Sequence, residues 1–119
     1  MRELLRLNAE QRSLLRGAPR ESSTYVYAID VVGTCNLRCP TCPVGNFAAA
    51  DRPKGFMQPA LFERILDKIV AESVAASPEV WLFNWGEPLL HPELPALIGA
   101  VKQRGLRCHL SSNLNIERG

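Results

Sequence analysis

The sequence predicts an α/β fold built on a parallel sheet. Three observations carry this reading. Stretches rich in β-branched and aromatic residues alternate with stretches whose apolar residues recur at helical spacing. That alternation implies parallel strands joined by right-handed crossovers. Each candidate strand also runs into a polar or glycine-bearing segment, and ligand-binding groups gather at the carboxyl ends of strands in such folds.

In chain order, Arg2 to Arg16 carry Leu4, Leu5, Leu7, Leu14 and Leu15 among charges. This is the pattern of an amphipathic helix, ended by Gly17-Ala18-Pro19. Residues 1–20 therefore read as a helical segment ahead of a core at 21–119. Tyr25 to Val32 reads as the first strand, broken by Gly33. Pro43 to Gly55 reads as loop, punctuated by Gly45, Pro53 and Gly55. Pro59 suits a first helical turn. Leu61, Phe62, Ile65, Leu66, Ile69 and Val70 follow at helical spacing, predicting a helix from Pro59 to Ser73. Pro78 precedes a second strand, Val80 to Asn84, and Trp85-Gly86-Glu87-Pro88 forms a turn. Pro92 opens another helix with Leu94, Leu97, Ile98 and Val101 on one face, and Gly105 stops it. Leu106 to Ser111 is the third strand.

A formal net charge of +2 over 119 residues gives no argument for nucleic acid or an anionic membrane. The early arginines, Arg2, Arg6, Arg12, Arg16 and Arg20, read as a solvated helix face. There is no apolar run of membrane-spanning length and no signal-peptide pattern, so the expected compartment is the cytoplasm. In that compartment, four cysteines with three in one loop favour metal ligation over disulfides.

Those three lie in Cys35-Asn36-Leu37-Arg38-Cys39-Pro40-Thr41-Cys42, directly after the first strand. The spacing wraps one short loop around one metal centre. Three thiolates on a four-iron cluster leave one iron without a protein ligand, and an open iron can bind and activate a substrate. Two alternatives stay open. A structural zinc site needs a fourth ligand, for which Cys108, His91 and His109 are available, although Cys108 alternates with Leu106 and Leu110 as a core residue would. A ferredoxin-like carrier needs a fourth thiolate nearby. Asp30 reads as a hydrogen-bonded group inside the sheet, His91 as a residue at the start of a helix, and His109 as structural or partly exposed. Trp81, Phe83 and Trp85 alternate and read as packing.

The cysteine run resembles the cluster motif of the radical S-adenosylmethionine (radical SAM) enzymes. Gly86-Glu87-Pro88 is similar to that family's glycine-glycine-glutamate element, with Trp85 in place of the first glycine. Thr41 stands where the family usually has an aromatic residue. Phe56-Met57 and Leu89-Leu90-His91-Pro92-Glu93-Leu94 resemble the branch with extra C-terminal clusters (SPASM-type), whose members modify peptides or build cofactors. The resemblance covers about Tyr25 to Asn115 and implies the N-terminal portion of a partial (β/α)6 barrel. It implies a [4Fe–4S] cluster on Cys35, Cys39 and Cys42, and SAM contacts from Glu87, Gly86 and Pro88, the Thr41 backbone, Ser111 and Asn113. The implied reaction is reductive cleavage of SAM to a 5′-deoxyadenosyl radical that abstracts hydrogen from an unidentified substrate, a peptide or a cofactor precursor. A flavodoxin or ferredoxin would supply the electron.

Overall fold

A computed structural model describes residues 25–48, 50–73 and 77–116. The amphipathic segment expected at residues 1–20 lies outside them. The elements, in order, are β1 (Val26–Ala28), α1 (Pro43–Asn46), α2 (Pro59–Glu72), β2 (Glu79–Trp81), a 3-10 turn (Pro88–Leu90), α3 (Leu94–Gln103) and β3 (Arg107–His109). The strands form one parallel sheet in the order β1-β2-β3. Tyr27 lies opposite Val80, and Val80 opposite Cys108.

The ladders are shorter than the apolar runs suggest, because the strand ends splay apart to hold loops. One further bond continues each ladder, from Ile29 N–H to the Trp81 carbonyl and from Leu82 N–H to the His109 carbonyl. Beyond that point Val31 to Gly33 leave the sheet and pair with another segment: Val32 bridges Phe56 in antiparallel sense. Tyr25–Val32 is thus one extended stretch serving two partners.

α2 begins at Pro59, whose missing N–H costs nothing in a first turn. It buries Phe62, Leu66 and Ile69, whereas Leu61 and Val70 on its flanks are about half exposed. α3 starts at Leu94, two residues later than Pro92 suggests, because Pro92 sits in the preceding turn and Glu93 is the N-cap. It buries Leu94, Leu97, Ala100 and Val101. Gly105 follows the helix at φ 70°, the left-handed conformation glycine adopts without a Cβ penalty. Arg104 ties the two helices together, donating to Asp67 (2.8 Å) and Glu63 (3.2 Å) on α2 and to the Ala100 carbonyl (3.0 Å). The Asp67 hydrogen bond leads in pushing this guanidinium above its usual range.

The core lies between these helices and the sheet. Phe62, Leu66, Val80, Leu82, Leu97 and Val101 are almost wholly withdrawn from water. Burial of side chains this size contributes about 1.5–3 kcal/mol each before the entropy of ordering is charged. Val31 and Val32 belong to the same cluster, so the start of the cysteine segment is anchored directly in the core.

Candidate cysteine-loop site

The loop begins where β1 ends and is closed by a return strand. Gly33 N–H donates to the Gly55 carbonyl (3.0 Å) and Met57 N–H to the Val31 carbonyl (2.9 Å). Gly55 makes this return at φ 105°, a backbone state that penalises any side chain. The region expected to be pure loop contains α1. Pro43 starts that helix, and Gly45 lies against the loop so closely that an added Cβ would fall 2.9 Å from the Cys39 carbonyl oxygen.

Two side chains from beyond the last cysteine hold the loop by its carbonyls. The Asn46 amide donates to the carbonyls of Pro40 (2.7 Å), Cys42 (2.8 Å) and Cys39 (3.4 Å). Arg52 donates through Nε to Val44 (3.0 Å) and through Nη2 to Cys35 (3.1 Å) and Leu37 (3.2 Å). Neither residue stood out in the sequence. Polar residues in a loop carry no periodicity, and their partners depend on the loop's path.

The second strand's carboxyl end packs directly on this loop. A Cβ on Gly86 would lie 1.9 Å from the Val32 carbonyl oxygen, and Glu87 N–H donates to the Thr34 carbonyl at 2.9 Å. The glycine is therefore required for approach to the chain's own backbone. Trp85 is compatible with the same turn: its side chain is 48 % exposed, while its N–H points inward. Asp30 collects that N–H (3.0 Å) together with those of Asn84 (2.8 Å) and Gly86 (3.1 Å). The expectation of a hydrogen-bonded Asp30 holds, and its partner is the glutamate turn itself.

Glu87 is only 3 % exposed. Its Oε1 accepts from Leu89 N–H (2.9 Å) and Ser112 Oγ (2.8 Å), and its Oε2 from Asn113 N–H (2.8 Å). It caps the 3-10 turn and binds the segment after β3 to the segment after β2. Ser112, which the sequence reading did not single out, makes this contact, and its neighbour Ser111 is exposed. Asn113 closes the circuit, donating to Asn36 Oδ1 (2.9 Å) beside Cys35 Sγ (3.6 Å), while Asn36 donates to the Asn115 carbonyl (2.7 Å). Pro88 is buried next to Glu87, and Thr41 is exposed at the loop tip.

The cysteines are all free thiols; Cys39 is exposed, Cys35 and Cys42 are half-buried. Cys35 Sγ accepts from Leu37 N–H at 3.5 Å. Among the described residues no three His, Cys, Asp or Glu side chains stand together in metal-binding geometry. Three thiols within eight residues are the donor type for a thiolate-held centre, although this structure does not draw them together. The candidate fourth ligands are otherwise engaged. Cys108 sits in β3 against the core, where burial pushes its thiol up and out of the thiolate form. His91, 1 % exposed, accepts at Nδ1 from Glu93 N–H (3.0 Å), which leaves Nε2 to donate to the Met57 carbonyl (2.9 Å). His109 Nε2 lies 3.2 Å from Glu79. A closed zinc tetrahedron has no placed fourth donor among these three.

No family model matches the chain. It is 32 % identical over 99 residues to a 7,8-dihydro-6-hydroxymethylpterin dimethyltransferase of Methanocaldococcus jannaschii, covering 80 % of this chain and 18 % of that protein. Among solved structures it is similar to BtrN in complex with AdoMet and 2-DOIA (TM-score 0.67, 20 % identity, 82 % of this chain and 39 % of that one). It is also similar to selenomethionine BtrN in an open conformation (TM-score 0.64, 20 % identity, 82 % and 42 %). The chain thus spans about a fifth of the curated relative and about two-fifths of the solved chains. Among the described residues no helix is long and apolar enough to cross a membrane. At 20 % identity the likeness to the solved chains is one of fold, in keeping with the parallel sheet described above.

Proposed function

We propose that this chain is the cluster- and SAM-binding portion of a radical SAM enzyme, built as the first part of a (β/α)6 barrel. One observation carries the reading. The carboxyl ends of three parallel strands bring the cysteine loop, the Gly86-Glu87 turn and the Ser112-Asn113 segment into one hydrogen-bonded unit. Cys35, Cys39 and Cys42 would hold a [4Fe–4S] cluster, with one iron left for the amino and carboxylate groups of SAM. Bound there, the cluster would supply the electron that cleaves SAM to a 5′-deoxyadenosyl radical, which takes hydrogen from the substrate.

The chain's own residues orient and exclude. A carboxylate has about four acceptor positions, and Glu87 uses three, leaving one on Oε2 for the SAM amine. The Thr41 backbone, Gly86, Pro88, Ser111 and Asn113 would supply the further SAM contacts that the resemblance implies. A small flavodoxin- or ferredoxin-type donor would meet the exposed loop tip around Cys39. For the substrate, the relative's name favours a pterin. The sheet face turned away from the helices supports a flat heterocycle, since Trp81 and Phe83 stack there with ring centroids 5.3 Å apart.

Anaerobic reconstitution with iron and sulfide tests the proposal. The expected outcome is about four irons per chain, an absorbance band bleached by dithionite, and an electron-spin signal perturbed by SAM. Tight stoichiometric zinc with no SAM response refutes it. Glu87→Gln is expected to retain the cluster and weaken the SAM perturbation; an unchanged response removes Glu87 from amine binding.

A further inference from the structure

Arg52 and Asn46 between them take the carbonyl of every cysteine in the motif. Arg52 holds Cys35; Asn46 holds Cys39 and Cys42. The backbone is gripped through its oxygens, and neither side chain uses a sulfur. Arg52 reaches furthest. One planar fork joins the first cysteine, a residue inside the loop, and the helix that follows the last cysteine. The antiparallel return of Gly55 to Met57 onto Val31 to Gly33 delivers it there. Among the described residues Arg52 makes no ion pair, so its charge faces the loop uncompensated.

We infer that Arg52 is the positioning residue of the cysteine loop: its guanidinium fixes the loop backbone, and its charge raises the reduction potential of the cluster held there. This rests on the cluster reading above. A cluster on three thiolates is net negative and becomes more so on reduction, so a fixed cation nearby favours the reduced form. Charged hydrogen bonds to three carbonyls remove most of the loop's freedom before any metal arrives.

The test uses the full chain with Arg52→Gln and Arg52→Lys. In the metal-free protein, the Cys42 and Asn46 amides are expected to exchange with solvent about tenfold faster in Arg52→Gln. After reconstitution its midpoint potential is expected to move to more negative values. Arg52→Lys restores the potential toward wild type but not the exchange protection, because an ammonium lacks the fork. Wild-type exchange rates in Arg52→Gln, or a midpoint potential that does not move, overturn the inference. Failure of the wild-type chain to take up iron would instead sink the cluster reading, and the metal-free exchange comparison would still decide whether Arg52 positions the loop.

Discussion

The two sides of this molecule are held by different physics. Between sheet and helices the contacts are aliphatic: Phe62 and Leu66 of α2, Leu97 and Val101 of α3, Val80 and Leu82 of the β2 segment. At the carboxyl ends of the strands the contacts are hydrogen bonds between side chains and backbone: Asn46 and Arg52 donate to carbonyls, and Asp30 and Glu87 accept from N–H groups. Apolar packing is non-directional and sets how close elements come. Hydrogen bonds fix direction, which a ligand site needs. The helical side supplies stability, and the loop side spends some of it on polar groups that each require a partner.

Substitutions can break that contrast. The largest effect is expected for Leu66→Ala, which empties the centre of the aliphatic side at about 2–5 kcal/mol. Urea unfolding checks it, and the loop side should melt in the same transition if the two sides are one cooperative unit. Gly86→Ala is next, at about 3 kcal/mol, because the Val32 carbonyl occupies the place of the new methyl. Trp85→Gly one residue away is expected to cost only about 1 kcal/mol, through backbone entropy. Equal effects at the two positions would mean that the glutamate turn does not pack as described.

The smallest effect sharpens the comparison from the helical side. Burial raises the Cys108 thiol, with Lys102 opposing. An acid whose folded pKa lies above its unfolded value contributes stability that is fully present below the unfolded pKa and is lost as pH rises through the folded one. Stability should therefore fall in mildly alkaline solution. Cys108→Ala should flatten that fall, as read from unfolding midpoints at rising pH.

Much of this was legible in the sequence. The helical spacing of Phe62, Leu66 and Ile69 announced α2 to within a residue of its end, and the strand–helix alternation announced the parallel sheet. The cysteine run and Gly86-Glu87 stood out because short motifs survive without knowledge of the path between them. Asn46, Arg52 and Ser112 did not, since each acts on a backbone atom whose place only the folded loop defines. The β3 ladder ends at His109, so strand alternation no longer governs which serine turns toward Glu87. α1 was hidden because four residues are too few for a period to show.

The order of these fasteners along the chain has a consequence for biosynthesis. Both Asn46 and Arg52 follow the third thiol, and Glu87 and Asn113 come later still. The cysteine segment is therefore synthesised together with Asn46 and Arg52 but well ahead of Glu87 and Asn113, so the loop gains its last hydrogen bonds only after the third strand has been made.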